Sequence, residues 1–140
     1  MPTKPRSAAD QTSGMAYFPR MLHKLRLFAA GELHPDFHAN LGKNADGWCT
    51  SFLRIDYDAL RERVLTGGGT DEEILSWCFT HGRPLEKIDL IVWNSFIHKL
   101  GWNDIAAPRL RRYKEQSGLG HRDDIVTMVD YFDVDEGRKP

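Results

Sequence analysis

Long hydrophobic runs are missing from this sequence, and so is an excess of charge of either sign. No apolar stretch approaches the roughly 20 residues that a membrane-spanning helix needs. A formal net charge of −1 supplies no overall pull toward polyanions, so neither nucleic acid nor an anionic membrane is an expected partner. Cysteine is scarce as well. Cys49 and Cys78 are the only two, each follows a tryptophan, and no C-x-x-C pair exists. The segment from Met1 to Gly14 is polar, carries Pro2 and Pro5, and lacks the apolar core of a secretory leader. Two reduced, buried thiols in a cytoplasmic protein are therefore expected.

What is present is ordinary globular composition. Apolar residues make up 41% and charged residues 28%, which excludes a disordered chain. A single domain of this length buries roughly two thirds of its unfolded surface, so it needs no disulfide or structural metal. No internal repeat and no interdomain linker is visible.

Helical periodicity dominates. Residues 1–14 read as a loosely held arm, 15–136 as one helical domain and 137–140 as a tail. Phe18-Pro19 opens a helix because proline suits the first helical position. Met21, Leu22, Leu25, Phe28 and Ala29 form its inner face, with Arg20, Lys24 and Arg26 expected to point elsewhere. After Gly31, the stretch 32–46 is irregular. Asp46 is the expected cap of a short helix burying Trp48, Cys49, Phe52 and Leu53. Asp56 caps the next, which Gly67-Gly68-Gly69 closes. Thr70 and Glu73 make a capping box for a helix that ends at Gly82.

Residues 86–100 leave little polar face. Leu90–Trp93 alone could be a buried strand, but fifteen residues without proline or glycine favour a central helix ended by Gly101. Another helix starts near Ala107-Pro108, and Asp123 is the expected cap of the last. The fold expected is all-α: a compact single-domain bundle of six or seven helices.

Chemical motifs are mostly incomplete. His34-x-x-x-His38 has the spacing of a helical metal pair, but Pro35 stands where a zinc-protease glutamate belongs. The run Asp133–Gly137 places its glycine fifth rather than sixth for a calcium loop, leaving a solvated acidic end. Gly67–Thr70 precedes a helix without a preceding strand or a following lysine, so it is a connector rather than a phosphate loop. Arg109, Arg111, Arg112 and Lys114 form a basic cluster. The six acids from Asp123 to Glu136, with no base between them, are its natural balance. No serine lies in a nucleophile elbow.

The loop His38-Ala39-Asn40-Leu41-Gly42-Lys43, followed by Asp46-Gly47 and Cys49, is too polar and idiosyncratic for a mere connector. With Phe18–Met21, Gly69–Ile74, Trp93-Asn94, Gly101-Trp102, Ser117–Asp124 and Asp135–Arg138, it resembles an uncharacterised bacterial family, the domain of unknown function DUF5069. The likeness runs in order over nearly the whole chain from Ser7 onward. One departure is the more apolar stretch 85–92. The resemblance implies no activity, cofactor or catalytic residue.

The function expected is a non-catalytic helical module that binds a small polar or anionic ligand or a protein partner. No cofactor, metal or catalytic residue is assigned. His38, Asn40, Lys43 and Asp46 are the candidate ligand-binding residues, with Trp93 and Asn94 as walls. Imidazole, amide and ammonium groups together suit a carboxylate or phosphate. A purely local role for the loop, satisfying its own backbone, competes with that reading. The alternative is a hydrolytic or metal-assisted enzyme using His38 with Asp46 or Cys49, which requires these side chains to converge in one cleft. A further alternative is a homodimer joined through Ile88–Leu100.

Overall fold

The computed structural model describes residues 2–140. Met1, the first residue of the expected arm, lies outside them. Helix accounts for 58% of the chain, with eight helices and one small hairpin among the described residues. A bundle of seven α-helices, with one 3-10 helix added, is thus the observed architecture.

The hairpin pairs β1 (Gln11–Thr12) with β2 (Met15–Ala16), in the register Gln11↔Ala16 and Thr12↔Met15. Ser13 and Gly14 between them both have positive φ, as the commonest two-residue hairpin turns demand. α1 (Phe18–Ala29) follows, then a 3-10 helix (Pro35–Asn40), α2 (Ala45–Leu53), α3 (Tyr57–Gly67) and α4 (Asp71–His81). α5 (Lys87–Lys99), α6 (Ala107–Gln116) and α7 (Met128–Asp135) complete the chain.

Local chemistry sets most boundaries. Asp56 accepts from the Ala59 amide, and Thr70 exchanges hydrogen bonds with Glu73 in the expected capping box. Two caps differ from expectation. The last helix starts at Met128, because Thr127 and Asp130 form their own capping box; Asp123 lies upstream in a turn. Asp46 is not the cap of α2 but sits inside its first turn, after Asn44.

Two apolar clusters form the interior. The larger joins α1 to α5 through Phe18, Met21, Leu22, Leu53, Leu60, Ile74 and Ile97. The smaller, around Leu100, Leu110, Met128 and Tyr131, belongs to α6 and α7. Trp48, Phe96 and Phe132 touch both, and Trp48 meets Phe96 edge to face at 5.6 Å.

Three expectations about exposure need correction. The arm is not loose over its described length. Thr3 bridges to Leu33 through backbone hydrogen bonds of 2.7 and 2.9 Å, and Pro5, Ser7, Ala8 and Thr12 are buried. The acidic end is not simply solvated either. Asp133 is buried and bonds Ser7, and Arg138 spans Asp133, Glu136 and the Pro5 carbonyl. Asp133 and Glu136 do not balance the α6 basic cluster; of the six acids expected to, Asp124 feels Lys114, which itself donates to the carbonyls of Arg122 and Ile125.

α5 is helical throughout, which settles the strand alternative, but it is not surrounded. Ile88, Ile91 and Val92 are 58%, 53% and 54% exposed. The opposite side, Trp93 and Ile97, is the buried one.

Gly82 closes α4 where the chain presses against the end of α2. A β-carbon there would lie 2.1 Å from the Leu53 carbonyl oxygen, which accepts the Arg83 amide. Gly82→Ala should therefore destabilise the protein by about 1–3 kcal/mol, as overpacking does. Urea denaturation reads this as a lowered midpoint with an unchanged slope.

Candidate functional site

A cavity of about 370 Å³ opens where the two apolar clusters meet. This is the size of a small-molecule site. α1 supplies its deep side, the 3-10 helix and the start of α2 one wall, and α6 with α7 the other.

The deep side is unusual because two of its residues, Arg20 and Lys24, are buried cations. They were expected to face away from the core, yet they are 2% and 4% exposed. They stand one turn apart and so share a face of α1. Each has its own acid. Arg20 grips Glu136 through two parallel hydrogen bonds of 2.8 Å, and its guanidinium lies 4.4 Å from the Phe132 ring centre. That fork geometry with an aromatic face is what distinguishes arginine from lysine.

Lys24 Nζ is 2.8 Å from Asp46 Oδ1 and donates to the Tyr17 hydroxyl at 3.2 Å. Tyr17 in turn donates to Asp46 Oδ1 at 2.6 Å, and the Gly42 amide donates to Asp46 Oδ2 at 3.0 Å. Asp46 is completely buried. The three polar side chains thus form a closed triangle at the base of the cavity. Burial pushes the Lys24 amine below its ordinary range and, with Asp46 nearby, pushes the Tyr17 hydroxyl well above its own.

Backbone strain lies at the same place. Tyr17 precedes α1 with φ 73°, a conformation rare for a bulky residue. It is held by its amide bond to the Asp10 carbonyl at 3.1 Å and by the hydroxyl contact with Asp46. Asn44, also on the cavity wall, has φ 53° and ψ −122°. Such outliers cost of order 1–3 kcal/mol each and persist only where surroundings enforce them.

The upper walls are aromatic and basic. Phe37, Trp48, Tyr113, Tyr131 and Phe132 line them, with Lys43 and Arg109 among them. The Tyr113 and Tyr131 rings lie 5.6 Å apart, and the Tyr131 hydroxyl is 2.5 Å from the Ser117 hydroxyl. Lys43 and Arg109 differ from the deep cations: among the described residues, neither side chain has a hydrogen bond or an ion pair.

The candidate ligand-binding residues are split by the fold. Asn40 and Lys43 line the cavity, and Asp46 supports its base from behind. His38 lies outside the lining. Its Nε2 donates to the Leu33 carbonyl at 2.9 Å and its ring packs edge-on against Phe28. Trp93 and Asn94 are not walls. The Trp93 indole donates to the Ala16 carbonyl, and the Asn94 amide bonds Ala16 N and Gly14 O, clamping the hairpin.

The constellation required by the enzyme alternative is not assembled in one cleft. His38 is turned away, and Cys49 is fully buried with its thiol pushed well up by desolvation. Among the described residues, no group of three or more His, Cys, Asp or Glu is placed to hold a metal ion.

Residues 2–138 match the family described as Domain of unknown function (DUF5069). The chain belongs to that family. No curated protein matches it significantly. What a DUF5069 domain offers chemically must therefore be read from this cavity. Tyr17, Arg20, Lys24, Arg109 and Glu136 were not singled out as site residues from sequence. One signal was available: Tyr17, Arg20 and Lys24 fall at i, i+3 and i+7, a polar stripe as regular as the apolar one beside it. No helix of the described residues is long and apolar enough to cross a membrane.

Removing one member of a buried ion pair leaves the other charge dry and uncompensated, at about 3–5 kcal/mol. Asp46→Asn in this DUF5069 domain should lose that much stability to chemical denaturation. Arg109→Gln, which disturbs no internal bond, should stay within about 0.5 kcal/mol. Equal losses from both would show that the Lys24–Asp46 contact is not the stabilising one.

Proposed function

We propose that the protein is a binding module for a small anionic ligand with a flat or apolar body, taken into the cavity between the 3-10 helix and α6–α7. The observation that carries this is the contrast between two sets of cations. Arg20 and Lys24 are consumed by internal acids, whereas Lys43 and Arg109 line the same space with their donors uncommitted among the described residues. A carboxylate or phosphate would satisfy them, and the rings of Trp48, Tyr113 and Phe132 would cover the rest of the ligand. Asn40 adds an amide for orientation.

His38, Trp93 and Asn94 drop out of this binding set. Asp46 stays as the group that holds Lys24 in place. The two free thiols, both buried, support a reducing and thus cytoplasmic setting.

Ligand binding is testable by calorimetry or Trp48 fluorescence with a panel of small carboxylates and phosphates. A hit should lose about ten- to a hundredfold in affinity on Arg109→Gln, the value of one or two charge-assisted hydrogen bonds. Unchanged affinity in that variant would place the anion elsewhere.

Self-association through α5 accompanies this reading, supported by the outward Ile88, Ile91 and Val92 on one stretch of helix. Sedimentation should show a mass that rises with concentration, and Ile91→Glu should abolish the rise. A concentration-independent monomer would end the dimer reading and leave the cavity untouched.

A further inference from the structure

We propose that Lys24 forms an imine with a small carbonyl compound bearing an anionic group, such as a 2-oxo acid. The inference rests on the cavity being the ligand site, and it goes beyond simple binding by assigning a covalent role to a group at its base.

Four features of the structure converge on this amine. Lys24 lines the cavity although only 4% of its surface is exposed, so the ligand space leads to it while bulk water hardly reaches it. Its nearest like-charged neighbour, Arg20, stands one turn away on the same helix face. Desolvation and a neighbouring cation both favour the free amine of a lysine nucleophile; here burial pushes the Lys24 ammonium toward its neutral form, Asp46 opposes that, and Arg20 adds a smaller push in the same direction as burial. The second feature is the proton path: Asp46 Oδ1 lies 2.8 Å from Nζ, and the Tyr17 hydroxyl lies 2.6 Å from the same oxygen. Third, Tyr17 is kept as a neutral proton donor by its burial and by Asp46. Fourth, Tyr17 is held in a strained backbone conformation, φ 73°, which the fold maintains while aiming its hydroxyl into this triangle.

The chemistry balances on these groups. Lys24 starts as an ammonium and passes one proton to Asp46. Its lone pair then forms the C–N bond to the carbonyl carbon, and the carbonyl π pair moves to oxygen. That oxygen takes the Tyr17 hydroxyl proton, and Asp46 returns its proton to Tyr17. The carbinolamine next loses a proton from nitrogen to Asp46. The nitrogen lone pair forms C=N and expels the hydroxyl, which leaves as water with the proton relayed through Tyr17. Overall, one ammonium and one carbonyl become one iminium and one water. The positive charge on nitrogen is conserved, so buried Asp46 keeps its counter-charge in the product. An uncharged adduct would leave that carboxylate dry and unpaired, at several kcal/mol.

The test uses the full chain with pyruvate and sodium cyanoborohydride near neutral pH, read by intact mass and peptide mapping. One reduced adduct on Lys24 is expected, formed at least about tenfold faster than on any of the other six lysines. Tyr17→Phe keeps the amine and should slow trapping by about a hundredfold, the usual worth of a positioned acid–base group. Acetone, which lacks the anionic group, should label Lys24 far more slowly than pyruvate does. Labelling spread evenly over the exposed lysines would overturn the proposal. Lactate, which carries a hydroxyl in place of the ketone, separates the two readings in a parallel binding measurement. Lactate binding without pyruvate trapping overturns the imine alone, and failure of both removes the 2-oxo-acid ligand together with it.

Discussion

Arg20 and Lys24 stand one turn apart on α1, and both are out of water. Taking a charge from water costs several kcal/mol unless a counter-charge and hydrogen bonds replace its hydration. The chain meets that demand from two distant places. Glu136 comes from beyond the end of α7, 116 residues away in sequence, to hold Arg20. Asp46 comes from the first turn of α2 to hold Lys24. Each acid is then secured by further bonds, Glu136 by Arg138 and Asp46 by Tyr17 and Gly42. The N-terminal segment joins the same network, since the Arg6 carbonyl accepts from Arg20 and Ser7 donates to Asp133. Three separate stretches of chain are thus pinned to one helix face by polar contacts. Hydrophobic packing alone would not specify those partners, because it is non-directional.

The same network explains what could be read from the sequence and what could not. Helix existence and most boundaries were legible because they rest on local chemistry. Pro19, Asp56, Gly82 and the Thr70–Glu73 box act on their immediate neighbours, and a short window contains the whole cause. The Thr127–Asp130 box is equally local, and it outweighs Asp123 as the start signal of α7. The hairpin was harder, since strands of two residues carry no period, although Ser13-Gly14 is a recognised turn pair. The arm looked loose for a related reason. Its anchors are backbone bonds to Glu32 and His34 and side-chain bonds to Asp133, none of which hydropathy can register.

The site shows the limit more sharply. Asn40 and Lys43 could be found because an irregular stretch so rich in polar side chains stands out from a connector. Arg20 and Lys24 could not be found by the rule that charged residues face solvent, since their burial depends on acids 22 and 116 residues away. Arg109, Tyr113 and Tyr131 belong to α6 and α7, and only tertiary packing carries them to the 3-10 helix. Trp93 and Asn94 illustrate the opposite error. An indole and an amide on the central helix are expected as ligand walls, but both spend their hydrogen bonds on the hairpin backbone.

Charge placement decides what kind of guest the cavity suits. In its depth each cation has been matched by an acid, so the deep side is polar yet close to neutral. The field in the cavity therefore comes mainly from the groups higher up. Lys43 and Arg109 present positive charge, whereas Asp36 and Asp135 present negative charge and lie close enough to influence each other. Desolvation pushes the Asp135 carboxyl up; Lys4 opposes that, while Glu136 and Asp36 add to it, so carboxylates cluster on this side of the cavity. On the proposed binding reading, a guest with one anionic end would be oriented: that end would be drawn to Lys43 and Arg109 and away from the acidic side. Its remaining surface would then fall against the aromatic rings and toward the Lys24–Tyr17–Asp46 triangle. Orientation of this kind needs rigid side chains, and the buried ion pairs supply the rigidity by fixing α1, α2 and α7 against one another. The contacts that stabilise the fold are in this way the same ones that give the cavity its direction.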